Sequence, residues 1–243
     1  MRLTCSIALL CALAFAGDAA KEEATAIAKR LARKDIDTQL EAVREAAQNQ
    51  HSALTSPLIK LLKCKEVAVR LAAIEALGLR QETADKKRAA KALCARIKPL
   101  EDKPDRYDEL GKIVTALHDL AQPVAIRPLM DIPVNFDQAL AQARLRAAAN
   151  IPSKEVIDRL LQYASSGRRG RNARWKSAGA AIRYATQESV KGGVREWRQW
   201  WKDNKDKFDV DHAANLRAEE RLKQAQKQAK KKKPKKKKKG GTQ

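Results

Sequence analysis

The side chains best suited to chemistry cluster between Ser165 and Lys176, in the segment SSGRRGRNARWK. Guanidinium groups bind phosphate, sulfate or carboxylate through paired hydrogen bonds, and the neighbouring Trp175 can stack on a ligand. Two glycines in the segment favour a flexible loop. We therefore predict an anion-binding loop, with a plain solvated connection between helices as the alternative. The candidate binding residues are Arg168, Arg169, Arg171, Arg174 and Lys176.

Catalytic and metal-binding patterns are missing from the sequence. The histidines, His51, His118 and His212, have no partner at the spacing of a metal site such as H-E-x-x-H or C-x-x-C. Neither a G-x-S-x-G turn nor a glycine-rich phosphate loop occurs. Cys64 and Cys94 could form a disulfide in an oxidising compartment or stay unpaired. We expect a protein that is not an enzyme and holds no cofactor and no metal.

Residues 1–16 predict a signal peptide. Arg2 gives a positive start, Cys5–Ala16 is an apolar run, and Ala14-Phe15-Ala16 is a small-residue cleavage pattern before Gly17. The run is shorter than the roughly 20 apolar residues of a membrane span. A buried first helix and a lipoprotein anchored at Cys11 are the alternatives. We expect an exported protein, periplasmic or extracellular, that is soluble after signal cleavage.

Positive charge is concentrated at the end of the sequence. The net charge is +22, and residues 217–243 hold 13 Lys and Arg against 2 Glu, a net of +11. Strong helix formers with almost no apolar stripe predict a solvated polar helix over 211–233. The lysine run that begins at Lys230 repels itself and predicts a disordered basic tail over 234–243. An anionic polymer or a membrane surface would suit such a tail.

Apolar residues in the rest of the chain recur every three or four positions, which predicts an all-α protein. In residues 67–78, Leu71, Ile74 and Leu77 fall on one predicted core face, and Gly78 ends the helix. Related segments recur at intervals of 71 and 74 residues, which fit repeated helix pairs. The predicted pairs are 21–48, 51–79, 85–120, 122–150 and 154–188.

The clearest pair, ALTSPLIKLLKCKEVAVRLAAIEALG over residues 53–78, resembles a HEAT repeat. It has the Pro-Leu start of a first helix, with Ser56 as the expected N-cap and Pro57 at the first helical position. Its second helix has an acidic residue, then Val-Arg and a closing Ala-Leu-Gly. The resemblance implies an α-solenoid of about five helix pairs over 17–190, with a concave binding face. It also implies structural roles for three arginines, Arg44, Arg70 and Arg144.

Three of the four tryptophans share one face of a predicted helix near the end of the array. Trp197, Trp200 and Trp201 are spaced three and four positions apart in REWRQWWKDNKDKF. This segment resembles the closing W-x-x-W-W helix of exported bacterial HEAT-repeat proteins. Large aromatic side chains would cover the open apolar end of the last pair. We predict a capping helix over 191–210, with a ligand-stacking platform as the alternative.

Three functions fit these features. The first is a non-enzymatic exported HEAT-repeat scaffold or binding module that holds a protein partner on its concave face. The second is a polyanion binder, in which the arginine loop and the lysine tail engage nucleic acid, an anionic envelope polymer or lipid headgroups. The third is a HEAT-like DNA glycosylase, although the predicted export argues against it.

Overall fold

The computed structural model describes residues 19–133, 136–166 and 171–232, apart from the side chains of 171–173 and 228–232. The predicted signal peptide over 1–16 and basic tail over 234–243 lie outside these residues. Within the described ranges the protein is all-α and has no strand, which confirms the all-α part of the predicted fold class.

The described residues form twelve α-helices. The first, α1, covers 19–31. The others are α2 (Ile36–Gln48), α3 (Thr55–Leu61), α4 (Val67–Gly78), α5 (Thr83–Glu101), α6 (Tyr107–Leu120), α7 (Ile126–Met130), α8 (Gln138–Ala149), α9 (Lys154–Ser165), α10 (Arg171–Thr186), α11 (Val194–Asn204) and α12 (Val210–Lys232). Short 3-10 turns over Ser52–Leu54, Pro104–Arg106 and Pro123–Ala125 lead into α3, α6 and α7.

Side-chain caps fix where several helices begin. At the start of α2, Asp35 accepts a hydrogen bond from the Thr38 backbone N–H at 2.8 Å. At the start of α8, Asp137 accepts one from the Leu140 backbone N–H, also at 2.8 Å. Each carboxylate satisfies an N–H group that has no partner within the helix and lies near the positive end of the helix dipole. Local sequence therefore sets these two boundaries.

The first helix of the 51–79 pair begins earlier than its sequence predicts. α3 starts at Thr55, so Pro57 is its third residue rather than its first. The His51 side chain accepts a hydrogen bond from the Ala53 backbone N–H at 3.2 Å, and the 3-10 turn that it caps runs directly into α3. Proline is tolerated at this position because the first N–H groups of a helix have no intrahelical partner.

The helices follow one another in two rows. In one row, α3, α5, α7, α9 and α11 each pack against the next member. In the other row, α2, α4, α6, α8, α10 and α12 do the same. Contacts within the hairpins α3–α4, α5–α6, α7–α8 and α9–α10 join the two rows. A continuous core of buried apolar side chains runs along the array.

The α4 helix lies within this array and contacts α2, α3, α5 and α6. Ile74 and Leu77 are buried, as predicted, but Leu71 is only half-buried. Val69 and Ala73, which the one-face pattern left out, are fully buried. The pattern fails here because a helix enclosed by several neighbours buries more than one stripe.

Gly78 lets α4 and α6 approach each other closely. A Cβ atom on Gly78 would lie 3.0 Å from the Ala116 Cβ and 3.1 Å from the Ala116 Cα. The sequence predicts only that this glycine ends a helix, and it is the last residue of α4. The close approach gives it a second role, since any larger residue would have to push the α6 backbone away.

Buried arginines tie two of the helix pairs to another element. Arg144 in α8 is fully buried and donates to Glu101 Oε1 at 2.7 Å and to three carbonyl oxygens at the end of α7. Arg70 in α4 likewise donates to two carbonyl oxygens just after α3, at 2.9 and 2.7 Å, and pairs with Glu109 at 3.0 Å. These two arginines thus have equivalent places in their pairs. Arg44, the third predicted structural arginine, is exposed.

The carboxylate of Glu109 in α6 forms ion pairs with three arginines. Arg70, Arg96 and Arg106 pair with it at 3.0, 3.0 and 2.5 Å. Glu109 is 3% exposed. Its burial acts to raise the pKa of the carboxyl, but hydrogen bonds from Arg106, Arg70 and Arg96 outweigh burial and hold the pKa below its ordinary value. An ionised carboxylate therefore links α4, α5 and α6.

Side chains from other elements also donate hydrogen bonds to the C-terminal ends of helices in the second row. Arg80 donates to two carbonyl oxygens at the end of α2. Asn150 donates to a carbonyl oxygen in the last turn of α6 at 2.7 Å. Arg217 in α12 donates to the Ala185 carbonyl oxygen of α10 at 2.5 Å. Each contact supplies a donor to a carbonyl that lacks a partner in its own helix.

The first two turns of α12 pack against α10, whereas the sequence predicts a solvated helix from residue 211. Ala213 and Arg217 are 3% and 2% exposed. The described side chains of α12 after Arg217 are exposed. The apolar pattern could not reveal this contact because an arginine makes much of it.

Candidate binding groove between α8 and α10

The predicted anion-binding loop is shorter than its sequence suggests. α9 ends at Ser165 and α10 begins at Arg171, so the segment from Arg171 onward is helix. Alanine and basic residues favour helix there more strongly than the two preceding glycines oppose it. Arg168 and Arg169 lie outside the described residues, as does the Arg171 side chain. The other two candidate residues lie on α10.

Arg174 and Lys176 face different parts of the molecule, because residues two positions apart on a helix are about 200° apart. Arg174 donates to the carbonyl and hydroxyl oxygens of Ser166 at 3.0 and 2.8 Å. Its guanidinium lies 5.3 Å from the centre of the Tyr163 ring. Lys176 is exposed and borders a large groove instead. The structure does not bring these two cations to one ligand.

Arg174 borders a pocket of about 410 Å³ together with Arg127 and Arg159. The Arg159 Nε donates to a carboxylate oxygen of Glu155 at 2.7 Å. Asp131 also lines the pocket. Two carboxylates therefore offset part of the positive charge of the three guanidinium groups.

A groove of about 990 Å³ lies between α8 and α10, on the second row of helices. Four alanines, two from each helix, line it together with longer polar side chains. The groove-lining polar residues are Gln138, Gln142 and Arg146 from α8, and Lys176, Ser177 and Tyr184 from α10. We call this surface the α8–α10 groove.

Four-residue spacing places these side chains on matching helix faces. Positions 138, 142 and 146 of α8 lie on one face, and positions 176, 180 and 184 of α10 lie on another. The opposite sides of the two helices point into the core, where Ala148 and Ile182 are fully buried. Alanines between the polar residues leave room between the helices, and this room is the groove.

The charged residues that line the α8–α10 groove are both cationic. Arg146 is exposed, and its guanidinium lies 5.8 Å from the centre of the Tyr184 ring. Lys176 precedes Tyr184 by two helical turns, which is about 12 Å along α10. The two cations therefore mark opposite ends of the groove, with an uncharged, alanine-rich stretch between them.

Arg146 and Tyr184 are the groove residues that the sequence analysis missed as candidates. Their relation to Lys176 depends on the side-by-side packing of α8 and α10, which no local pattern shows. The available signal was the stripe of glutamine and arginine at four-residue spacing on α8, next to small residues. On its own, such a stripe is also typical of an ordinary solvated helix face.

The predicted capping tryptophans lie on α11, which packs against α9. Trp197 and Trp201 are 0% and 4% exposed, and Trp200 is half-buried. The Trp201 indole N–H donates to Asp158 Oδ1 of α9 at 2.8 Å. Phe208 packs edge-on against Trp200 and Trp201. Most of the aromatic surface is thus turned inward, and Trp200 alone of the three keeps a sizeable exposed fraction.

The remaining candidates for chemistry lie apart from one another. No group of three or more His, Cys, Asp or Glu among residues 19–133, 136–166 and 171–232 could hold a metal ion. Cys64 and Cys94 are both free thiols. Burial raises the pKa of the Cys94 thiol to about 12, so it remains protonated at neutral pH.

No helix in the described part of the chain is long and apolar enough to cross a membrane. No protein-family model matches the sequence, and no curated protein is similar to it.

Proposed function

We propose that this protein is a HEAT-like α-solenoid that binds another protein and catalyses no reaction. The order of helix contacts supports a repeated structure, since four successive hairpins, from α3–α4 to α9–α10, pack internally and helices from α2 to α12 pack on the next member of their row. The equivalent contacts of Arg70 and Arg144 support it as well. Such an array offers one continuous row of second helices as a binding surface.

The α8–α10 groove is the observation that carries the binding role. Its volume of about 990 Å³ is at the upper end of the range for ligand sites. Amide, hydroxyl, ammonium and guanidinium groups line it, and these groups hold a ligand through hydrogen bonds and charge. The described part of the lining has no carboxylate, imidazole or thiol to serve as a general base or nucleophile. This composition favours binding over catalysis.

Site-specific photo-crosslinking tests this role. A photoreactive residue in place of Ala180, which is exposed in the groove, should give a discrete adduct with one partner protein in cell extract. The matched control places the same residue at Ala68, which is exposed on α4. Ala139→Trp should fill the groove and abolish the adduct. Equal adducts at both positions, or an adduct that survives Ala139→Trp, would contradict the proposal.

We also propose that the protein and its partner meet outside the cytoplasm. The order of Arg2, the apolar run and Ala14-Phe15-Ala16 supports export. N-terminal sequencing of the protein purified from its native cells should begin at or near Gly17. Protein that keeps Met1 and stays in the cytoplasm would contradict export.

Polyanion binding is the second candidate function, and the Arg127–Arg159–Arg174 pocket favours it. Guanidinium groups around one pocket suit sulfate or phosphate oxygens. Retention on heparin should then fall in Arg127→Gln, with Arg33→Gln, at an exposed position in the turn after α1, as a matched control. Equal retention of both variants would contradict a role for this pocket.

A further inference from the structure

We infer that the α8–α10 groove binds an acidic α-helical segment of the partner protein, with two carboxylates about two turns apart. The inference rests on the proposed binding function and adds the chemistry of the ligand. Three observations carry it: the charge of the lining, the distance between its cations and the nature of the surface between them.

The charge of the groove selects acidic groups. Lys176 and Arg146 are exposed, and none of the described residues that line the groove carries negative charge. Asp137 lies next to the groove at the start of α8, but its carboxylate accepts a hydrogen bond from the Leu140 backbone N–H. A carboxylate that enters the groove would therefore meet two cations without competition from an acidic lining residue.

The distance between the cations fits a helix. The backbone positions of Lys176 and of Tyr184, whose ring lies 5.8 Å from the Arg146 guanidinium, are about 12 Å apart along α10. Carboxylates at positions i and i+7 or i+8 of a ligand helix are about 10–12 Å apart on the same face. Recognition of one helical face by anchors two turns apart is a common mode of groove binding.

The surface between the cations is suited to close approach of a helix. Alanines line the middle of the groove, so a ligand helix can lie near the α8 and α10 backbones. Gln142, halfway along α8, can pair with a polar group at the edge of the ligand. A nucleic acid would gain less here, because it needs many phosphate contacts and the groove offers two cations.

The test measures binding of a designed helical peptide to the full-length protein. The acetylated, amidated peptide has about five turns, one Glu at i and one at i+7, and apolar residues at i+3 and i+4 between them. A matched peptide has Gln at both acidic positions. We expect the Glu peptide to bind about tenfold or more tightly than the Gln peptide.

Four variants test whether that difference comes from the groove. Arg146→Gln and Lys176→Gln should each weaken binding of the Glu peptide by about tenfold and leave the Gln peptide unaffected. Arg183→Gln removes an exposed charge from α10 outside the lining and should change the affinity less than twofold. Ala139→Trp should abolish binding by filling the groove. Unchanged thermal melting will show that the variants are folded.

Equal binding of the two peptides, or equal losses in Arg146→Gln and Arg183→Gln, would overturn the inference. Displacement of the Glu peptide by a short single-stranded DNA at equal concentration would also overturn it and favour a polyanion site. If the peptide fails while the Ala180 crosslink still captures a partner, the acidic helix is wrong and the binding function stands. If both fail, the proposed function itself is wrong.

Discussion

At the residue scale, the largest cluster of charged groups in the described core surrounds the Glu109 carboxylate. Three arginines from three elements converge on it, and they have little else to neutralise them at that point. Removing one partner of a buried ion pair leaves the other charge unpaired, which is far more costly than losing an exposed pair. Glu109 is therefore the residue whose ionisation most directly affects stability.

Glu109→Gln should lower the free energy of unfolding at pH 7 by about 3 kcal/mol or more, because three guanidinium groups lose their counterion. The lowered pKa of Glu109 means that its stabilisation is fully present above the unfolded-state pKa of about 4.3. That stabilisation is lost as the pH falls through the lower folded-state pKa. Urea unfolding at pH 7, 5, 4 and 3 should therefore show the two proteins converging in acid.

A matched control is Glu75→Gln, which removes an exposed ion pair with Lys112. Its effect should be within about 1 kcal/mol at pH 7. The prediction is wrong if Glu109→Gln is as stable as Glu75→Gln. It is also wrong if the difference in unfolding free energy between Glu109→Gln and wild type stays constant down to pH 3. Either result would show that the arginines do not depend on this carboxylate.

At the element scale, two helical glycines provide a paired test of helix packing. A Cβ on Gly78 would lie 3.0 Å from Ala116, whereas one on Gly111 would lie at an ordinary 3.7 Å from Leu140 Cδ2. Gly78→Ala should destabilise the protein by about 1–3 kcal/mol through overpacking. Gly111→Ala should stabilise it by up to about 1 kcal/mol through helix propensity. Thermal unfolding measures both, and shifts of the same sign would refute the close α4–α6 contact.

Stability measurements can distinguish a capping role from a ligand-stacking role for α11, the helix that carries Trp197, Trp200 and Trp201. Trp197→Ala should lower the free energy of unfolding by about 3–5 kcal/mol, because the side chain is fully buried. Trp200→Ala should cost less, since this residue is half-buried. Chemical unfolding of the two variants gives the comparison. Unchanged unfolding combined with loss of partner binding would instead favour the ligand-stacking platform.

At the scale of the whole molecule, the sequence predicts helices well because core positions repeat every three or four residues. It predicts Ile74 and Leu77 in the core for that reason. It does not predict Arg217 there, because a buried arginine is hidden in a polar pattern. It does not predict the α8–α10 groove either, since Arg146 and Lys176 come to line one surface only through the packing of two helices that are not consecutive in the sequence.

At the same scale, the lysine run that begins at Lys230 is predicted to bind polyanions. Deletion of the residues after Ala229 tests that prediction. Binding to duplex DNA should then depend less steeply on salt, because each phosphate contact contributes roughly 0.9 to the slope of log K against log salt. The melting temperature should not change, since the described side chains of α12 after Arg217 are exposed. A glutamine tail of equal length is the control. An unchanged salt slope would favour the alternative, in which the lysines only keep the protein soluble.

Because the helices pack mainly on helices that are close to them in the sequence, their packing order affects how the protein folds during synthesis. Among the described residues, the hydrogen bond that spans the most sequence joins Lys154 and Asp206, 52 positions apart. Each helix pair therefore finds its partners in segments that have just emerged or will emerge next. A ribosome or a translocation pore that releases the chain from its N-terminal end would deliver these partners in the order in which they pack. Folding can then advance pair by pair without waiting for the last residue.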